Sequence, residues 1–273
     1  MPILIDRIHQ VELGNLEQFT TLCRELNLPY FLMGGSLLGA IRHQGFIPWD
    51  DDVDVGLLRP DYDQLLAAAP VRLAHSAYFL QTPTTDPYYG LSYAKLLDRR
   101  TYIEEKNNVN SARKGVFIDI FPLDRIPTET TLQREQLAKF QWLNTRILLQ
   151  LRYHLVSTPL QKLQPSLDAD QLADVHALKL ERDALMTKYQ DCSELTQVKN
   201  LASQYSYNKE VFSLKQVSEL TTVPFEHLSV QVPADYATIL TNMYGDYQAL
   251  PPKGQRTEKH LEKLIMDNQV FTQ

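Results

Sequence analysis

The chain has 273 residues, 44% hydrophobic and 22% charged, the composition of a globular protein with room for one large domain or a core plus an appendage. Its formal net charge of −6 argues against nucleic-acid binding driven by bulk charge, yet allows a small anionic substrate held by a few cations in one cleft. Asp6 interrupts the apolar N-terminus, no apolar run approaches the ~20 residues that span a bilayer, and Cys23 and Cys192 fit no metal spacing, so the chain reads as cytoplasmic and free of structural disulfides.

Leu13, Leu16, Phe19, Leu22, Cys23 and Leu26 recur at helical spacing, which predicts an amphipathic helix that ends before Pro29. Residues 30–33 form a short apolar run closed by Gly34-Gly35, the pattern of a buried strand entering a tight turn. A short helix over 37–41 and a strand over 53–58 follow, and Pro60 opens a helix that runs from Tyr62 to Ala69. Residues 93–97 and 102–105 read as strands joined by the charged turn Asp98-Arg99-Arg100. After a polar loop, 116–121 is another strand, with Asp124 read as a turn residue beside Pro122. Beyond Pro127 the character changes. Residues 130–155 and 168–190 are Leu- and Gln-rich with helical period, 223–232 is extended, 234–244 is helical and the tail is polar. The expectation is a mixed α/β core over residues 1–126 and a mainly helical region over 127–273 that completes the substrate cleft.

The chemistry concentrates in residues 31–58. In a strand, side chains alternate between faces, so Asp52 and Asp54 point one way while Val53 and Val55 point into the core. Two carboxylates close together on one face repel and raise each other's pKa, a penalty that a bound divalent cation removes. Oxygen ligands at this spacing suit Mg²⁺ or Mn²⁺, with nucleotide phosphates completing the shell. A solvated acidic loop fits poorly, because the acids alternate with valines directly after Ile47 and Trp49. Gly34-Gly35-Ser36 adds a second feature: glycines let backbone approach a ligand, and amides at a helix N-terminus attract phosphate. A glycine-serine turn ahead of a carboxylate strand is the two-part signature of the nucleotidyltransferase superfamily. Asp119, flanked by Ile118 and Ile120, is the third acid; buried and ionised, it needs a hydrogen bond, a counter-charge or a metal.

GGSLLGAIRHQGFIPWDDDVDVG closely resembles the signature of the LicD family, whose eukaryotic relatives include fukutin and fukutin-related protein. YAKLLD at 93–98, GVFIDIFPLD at 115–124 and PADYATILTNMYGDYQALPP at 233–252 resemble further blocks of that family, while residues 128–222 match none. The resemblance implies a nucleotidyltransferase fold and Mg²⁺-dependent transfer of a phospho-alcohol, such as phosphocholine or ribitol phosphate, from a CDP-linked donor to a glycan. It maps the metal ligands onto Asp52 and Asp54, with Asp50 as a further one. Arg42 and Lys95 are then candidates for holding non-bridging phosphate oxygens. Gly35, Ser36, His43 and Arg256 complete the expected substrate contacts. Asp119 either accepts the proton of the acceptor hydroxyl or completes the metal site. The family's closing basic-histidine pattern is incomplete here, with Lys259 and His260 but no second histidine, which puts a role for His260 in doubt. Peripheral attachment to a membrane through a lipid-linked acceptor is compatible with all of this.

Overall fold

The fold is that of a computed structural model, which describes residues 4–105, 110–153, 167–256 and 261–272. Helix α1 (Leu4–Leu26) is longer than its apolar period implied; Ile5, Ile8, Leu16, Phe19, Leu22 and Cys23 are buried along one stripe. Strand β1 (Phe31–Leu32) leads into α2 (Gly34–His43), then β2 (Asp54–Leu58) and α3 (Arg59–Arg72), with Pro60 in the first turn of α3 as expected. Strands β3 (Tyr78–Gln81), β4 (Ala94–Asp98), β5 (Thr101–Glu105) and β6 (Phe117–Arg125) complete the first half.

The second half holds the two expected long helices, α4 (Thr130–Gln150) and α5 (Ala169–Met186). It also contributes the paired strands β7 (Gln197–Lys199) and β8 (Val211–Ser213), followed directly by the short helix α6 (Leu214–Ser218). Strands β9 (Leu220–Phe225) and β10 (Leu228–Pro233) form a hairpin over the stretch read as extended, and α7 (Tyr236–Tyr244) follows. The tail is polar only in part. It forms β11 (Leu261–Met266) and β12 (Gln269–Thr272), joined by Asp267-Asn268, both at positive φ as a tight hairpin turn requires.

The main sheet runs β1-β2-β6-β4-β3, with β7 continuing from the end of β6 and β8 beside it. Only β2 and β6 pair in parallel; the other ladders are antiparallel. β4 and β5 are consecutive but enter different sheets: β5 pairs with β11, so the Asp98-Arg99-Arg100 turn does not close a hairpin. Val53, Val55, Leu57, Leu96, Ile118 and Ile120 join Leu16, Phe19 and Leu32 in the principal core. Among the described residues, no helix is long and apolar enough to cross a membrane.

Asp124 is not a turn residue. β6 continues through Pro122 to Arg125, and the Asp124 carboxylate is fully buried, accepting hydrogen bonds from Arg59 Nε at 2.6 Å and Arg59 Nη2 at 2.8 Å. A bidentate guanidinium supplied from the start of α3 lets an acid stay inside the strand.

Candidate functional site

The parallel ladder sets Asp54 of β2 opposite Asp119 of β6, and the next ladder sets Asp119 opposite Lys95 of β4. In-register neighbours share a face and lie about 4.8 Å apart in the pairing direction, so acid, acid and cation form one row across the sheet. Lys95 Nζ is 3.7 Å from Asp119 Oδ1 and lies over the Phe117 ring, 3.1 Å from its centroid. The alternation read from the sequence holds: Val53 and Val55 are fully buried, while Asp52 and Asp54 are only partly covered.

The glycine-serine turn is bound to the same place. Met33 N–H donates to Asp54 C=O at 3.0 Å, and Asp54 N–H donates to Ser36 Oγ at 2.8 Å, so the start of α2 and the start of β2 are held together. A Cβ on Gly35 would come within 2.5 Å of Asp50 Oδ2, and one on Gly34 within 3.3 Å of Asp54 Oδ2; Gly34 is also at φ +51°. These positions therefore need glycine for close approach and, at Gly34, for backbone conformation. The first turn of α2 lies against the Asp50 and Asp54 carboxylates, the end of a helix where negative charge is favoured.

Burial raises the Asp54 carboxyl well above its ordinary range, and the charges of Asp52, Asp119, Asp50 and Glu210 push it further. Glu12, which the sequence reading passed over, behaves alike. It is 2% exposed on the buried stripe of α1, and its Oε2 has no hydrogen-bond partner among the described residues. Burial first, then Asp52, Asp51, Asp50 and Asp119, raise its carboxyl well above the usual range. A lone acid inside a helical stripe that is apolar but for Asn15 was the available signal, since a buried carboxyl is rarely there for packing. His9, one helical turn earlier, donates from Nε2 to Asp50 C=O at 2.7 Å and stacks on Phe46 at 4.0 Å, fixing the approach to the acids.

An oxygen-only set of mutually repelling carboxylates fits a hard divalent cation in charge and donor type. Among the described residues, no three acidic, histidine or cysteine groups are drawn together tightly enough to make a metal shell by themselves. A cation at this place would take further ligands from a phosphate-bearing substrate, as Mg²⁺ commonly does.

The remaining expected residues divide in two. Gly35, Ser36 and Lys95 lie with the acids. Arg42 and His43 lie at the far end of α2, a helix of 10 residues and so roughly 15 Å long. Arg42 donates to the carbonyls of Tyr247 and Ala249 and to His43 Nε2, an acceptor role that requires a neutral ring. Burial and the Arg42 charge lower the His43 pKa. Arg256 lies over the Trp49 ring at 5.3 Å and donates to Pro251 C=O, while Trp49 meets His43 edge to face. This second cluster organises the 245–256 loop. Lys259 and His260 lie outside the described residues. Tyr205 and Tyr244, joined hydroxyl to hydroxyl at 3.0 Å, are both pushed up by burial, with Asp54 among the contributing charges. Tyr205 therefore brings the segment that matched no family block to the carboxylate end.

A glycine-serine turn, a carboxylate strand and a third acid in parallel register define a nucleotidyltransferase-type site. Residues 27–164 match the LicD/FKTN/FKRP nucleotidyltransferase domain, half of the chain, and the protein belongs to that family; the match includes residues 128–164, which the sequence reading leaves outside the resemblance. It is 29% identical over 263 residues to the lipopolysaccharide cholinephosphotransferase LicD of Haemophilus influenzae, covering 92% of this chain and 94% of that one. A shorter match, 62% identical over 32 residues, links it to the human ribitol 5-phosphate transferase FKRP, over 12% of this chain and 6% of that protein.

Proposed function

We propose that the protein is a phosphotransferase that moves a phospho-alcohol group, phosphocholine, ribitol phosphate or a similar unit, from a CDP-linked donor to a hydroxyl of a cell-surface glycan such as teichoic acid or polysaccharide. The observation that carries the reading is the Asp54–Asp119–Lys95 row beside the Gly34-Gly35-Ser36 turn. The near-complete alignment with a cholinephosphotransferase supports the reaction class. The acceptor oxygen attacks the phosphorus that carries the alcohol, the bond from that phosphorus to the bridging oxygen breaks, and CMP leaves with the bond's electrons. Asp119 takes the hydroxyl proton or completes a cation site with Asp52, Asp54 and Asp50. Mg²⁺ or Mn²⁺ bound there would offset the charge that develops on the pyrophosphate oxygens. Lys95 supplies a fixed positive charge at the same edge, and the amides around Gly35 and Ser36 orient phosphate. Arg42, His43 and Arg256 hold the 245–256 loop around Trp49, the residue before Asp50, and from there contribute to seating the donor. The enzyme works at the cytoplasmic face of a membrane when its acceptor is lipid-linked.

The test is product analysis with CDP-alcohols, a hydroxyl acceptor and Mg²⁺ or Mn²⁺. CMP should appear in step with modified acceptor, without pyrophosphate. Pyrophosphate from ATP or CTP at comparable rate, with CDP-alcohols inert, would instead identify an enzyme that attaches a nucleotide to a small hydroxyl compound.

A further inference from the structure

Beyond Lys95, on the side away from Asp54, lies a cavity of about 120 Å³. On a scale where one water needs about 10–15 Å³, it accommodates several waters or a phosphate-sized group. Its polar lining is uniform in sign: Lys95, Arg113 and Lys114 supply three cations, Gln81 an amide, and, among the described residues, no acid lines it. The Tyr89 ring forms one wall. Tyr89 is 2% exposed, and its hydroxyl has no hydrogen-bond partner among the described residues. A buried hydroxyl left so carries an uncompensated desolvation cost, which a ligand oxygen in the cavity would recover. Burial, with Asp119 among the nearby charges, raises this phenol well above its ordinary range, so it is a donor at neutral pH.

The wall is held rigidly. Lys179 Nζ donates to the carbonyls of Pro83 and Pro87, and Arg182 donates to those of Gly90 and Leu91, at 2.7–3.2 Å. Tyr153 accepts the Gly90 N–H at 3.0 Å, and a Cβ on Gly90 would meet the Tyr153 ring at 2.9 Å. Opposite, Gln81 donates to Asp86 and to Arg113 C=O, fixing the loop that carries Arg113 and Lys114. Two buried cations spent on backbone carbonyls of one loop indicate that its position matters, since each carries a desolvation penalty.

We propose that this cavity is an oxyanion pocket that receives a phosphate group of one of the two substrates, and that it excludes a quaternary ammonium group. Tyr89, Lys95 and the side chains of the 113–114 loop face it with donors, whereas an ammonium headgroup would meet three like charges. That the phosphate belongs to a substrate of the transfer rests on the proposed function; the preference for an oxyanion rests on the cavity's own lining.

The test uses the whole protein, without divalent cation, titrated by calorimetry with inorganic phosphate, with glycerol 3-phosphate and with tetramethylammonium. The wild type should bind the two phosphates and not the ammonium ion. Tyr89→Phe and Lys114→Gln should each weaken phosphate binding about tenfold. Tyr89→Phe should do so while melting at or above the wild-type temperature, because it removes a buried hydroxyl without a partner. Competition then separates the sources: displacement of glycerol 3-phosphate by CDP assigns the pocket to the donor, and simultaneous binding assigns it to a phosphate on the acceptor. Absence of phosphate binding, affinity unchanged in both variants, or preference for tetramethylammonium would overturn the proposal. None of these outcomes depends on whether CMP is released in turnover.

Discussion

Strands β2 and β6 lie parallel over five residue pairs, from Asp54–Asp119 to Leu58–Leu123, and the two ends of that ladder handle charge in opposite ways. At the far end, Arg59 and Asp124 follow directly in sequence and close on each other in a bidentate pair, both essentially buried. Burial opposes the Arg59 charge, but its hydrogen bonds to Asp124 outweigh that, so the guanidinium stays charged. At the near end, Asp54 and Asp119 face each other with Asp50, Asp52 and Glu12 around them, and Lys95 lies 3.7 Å from Asp119. The pair at one end is complete within the protein. The cluster at the other gathers more carboxyls than cations among the described residues, and their mutual repulsion with burial raises Asp54 and Glu12.

Substitutions at the two ends should therefore fail differently. If Asp52 and Asp54 hold a cation as proposed, Asp52→Asn and Asp54→Asn should each lower transfer by on the order of 10²–10³-fold or more while circular dichroism stays native. Near-wild-type turnover in either variant would remove that residue from the site. Asp124→Ala should leave the Arg59 charge buried without its partner and lower stability by about 3–5 kcal/mol in urea unfolding. A loss below about 1 kcal/mol there would mean that water or Asp183, 3.5 Å from Arg59, takes over.

The pH dependence sharpens the contrast. Asp54 and Glu12 have folded-state pKa values raised above their unfolded values of about 4, so folding favours their protonated forms. The stability this contributes is complete below pH 4 and is lost as pH rises through the folded values. Melting of the cation-free protein should fall between pH 5 and pH 8, and Glu12→Gln should lessen that fall. If the difference between Glu12→Gln and wild type is the same at both pH values, Glu12 does not titrate in the folded protein as described. The smallest effect belongs to Ser36→Ala. The Asp54 N–H loses its acceptor, and stability should drop by about 1–2 kcal/mol, measured in urea.

The carboxylate strand and its turn were legible because they are local. Alternation of Asp with Val in 52–55, and glycines before Ser36, carry their meaning within a few residues. Asp119 stood out as the third acid, but Asp124 was misplaced in a turn, because what keeps it inside β6 is a guanidinium that arrives from residue 59. Long-range pairing hid the rest. The tail looks polar until β5, more than 150 residues earlier in the chain, gives β11 a partner and β11 in turn pairs with β12, as Lys263 Nζ at 3.1 Å from Glu104 shows. The Lys95–Asp119 register likewise depends on strand order, which no short motif encodes. Glu12 was readable in principle, as the acid on an apolar stripe, but α1 begins before the stretch whose period was clearest. Tyr205 and Glu210 had no signal at all: their relevance comes from where the 128–222 segment folds back toward Asp54.

The most direct measurement is Mn²⁺ binding in the presence of CMP, followed by electron paramagnetic resonance in wild type, Asp54→Asn and Ser36→Ala. The account predicts that wild type and Ser36→Ala bind the ion alike, whereas Asp54→Asn weakens binding at least tenfold without loss of fold. Equal Mn²⁺ affinity in wild type and Asp54→Asn would contradict it, and would mean that the repelling acids beside the glycine-serine turn are not the cation site.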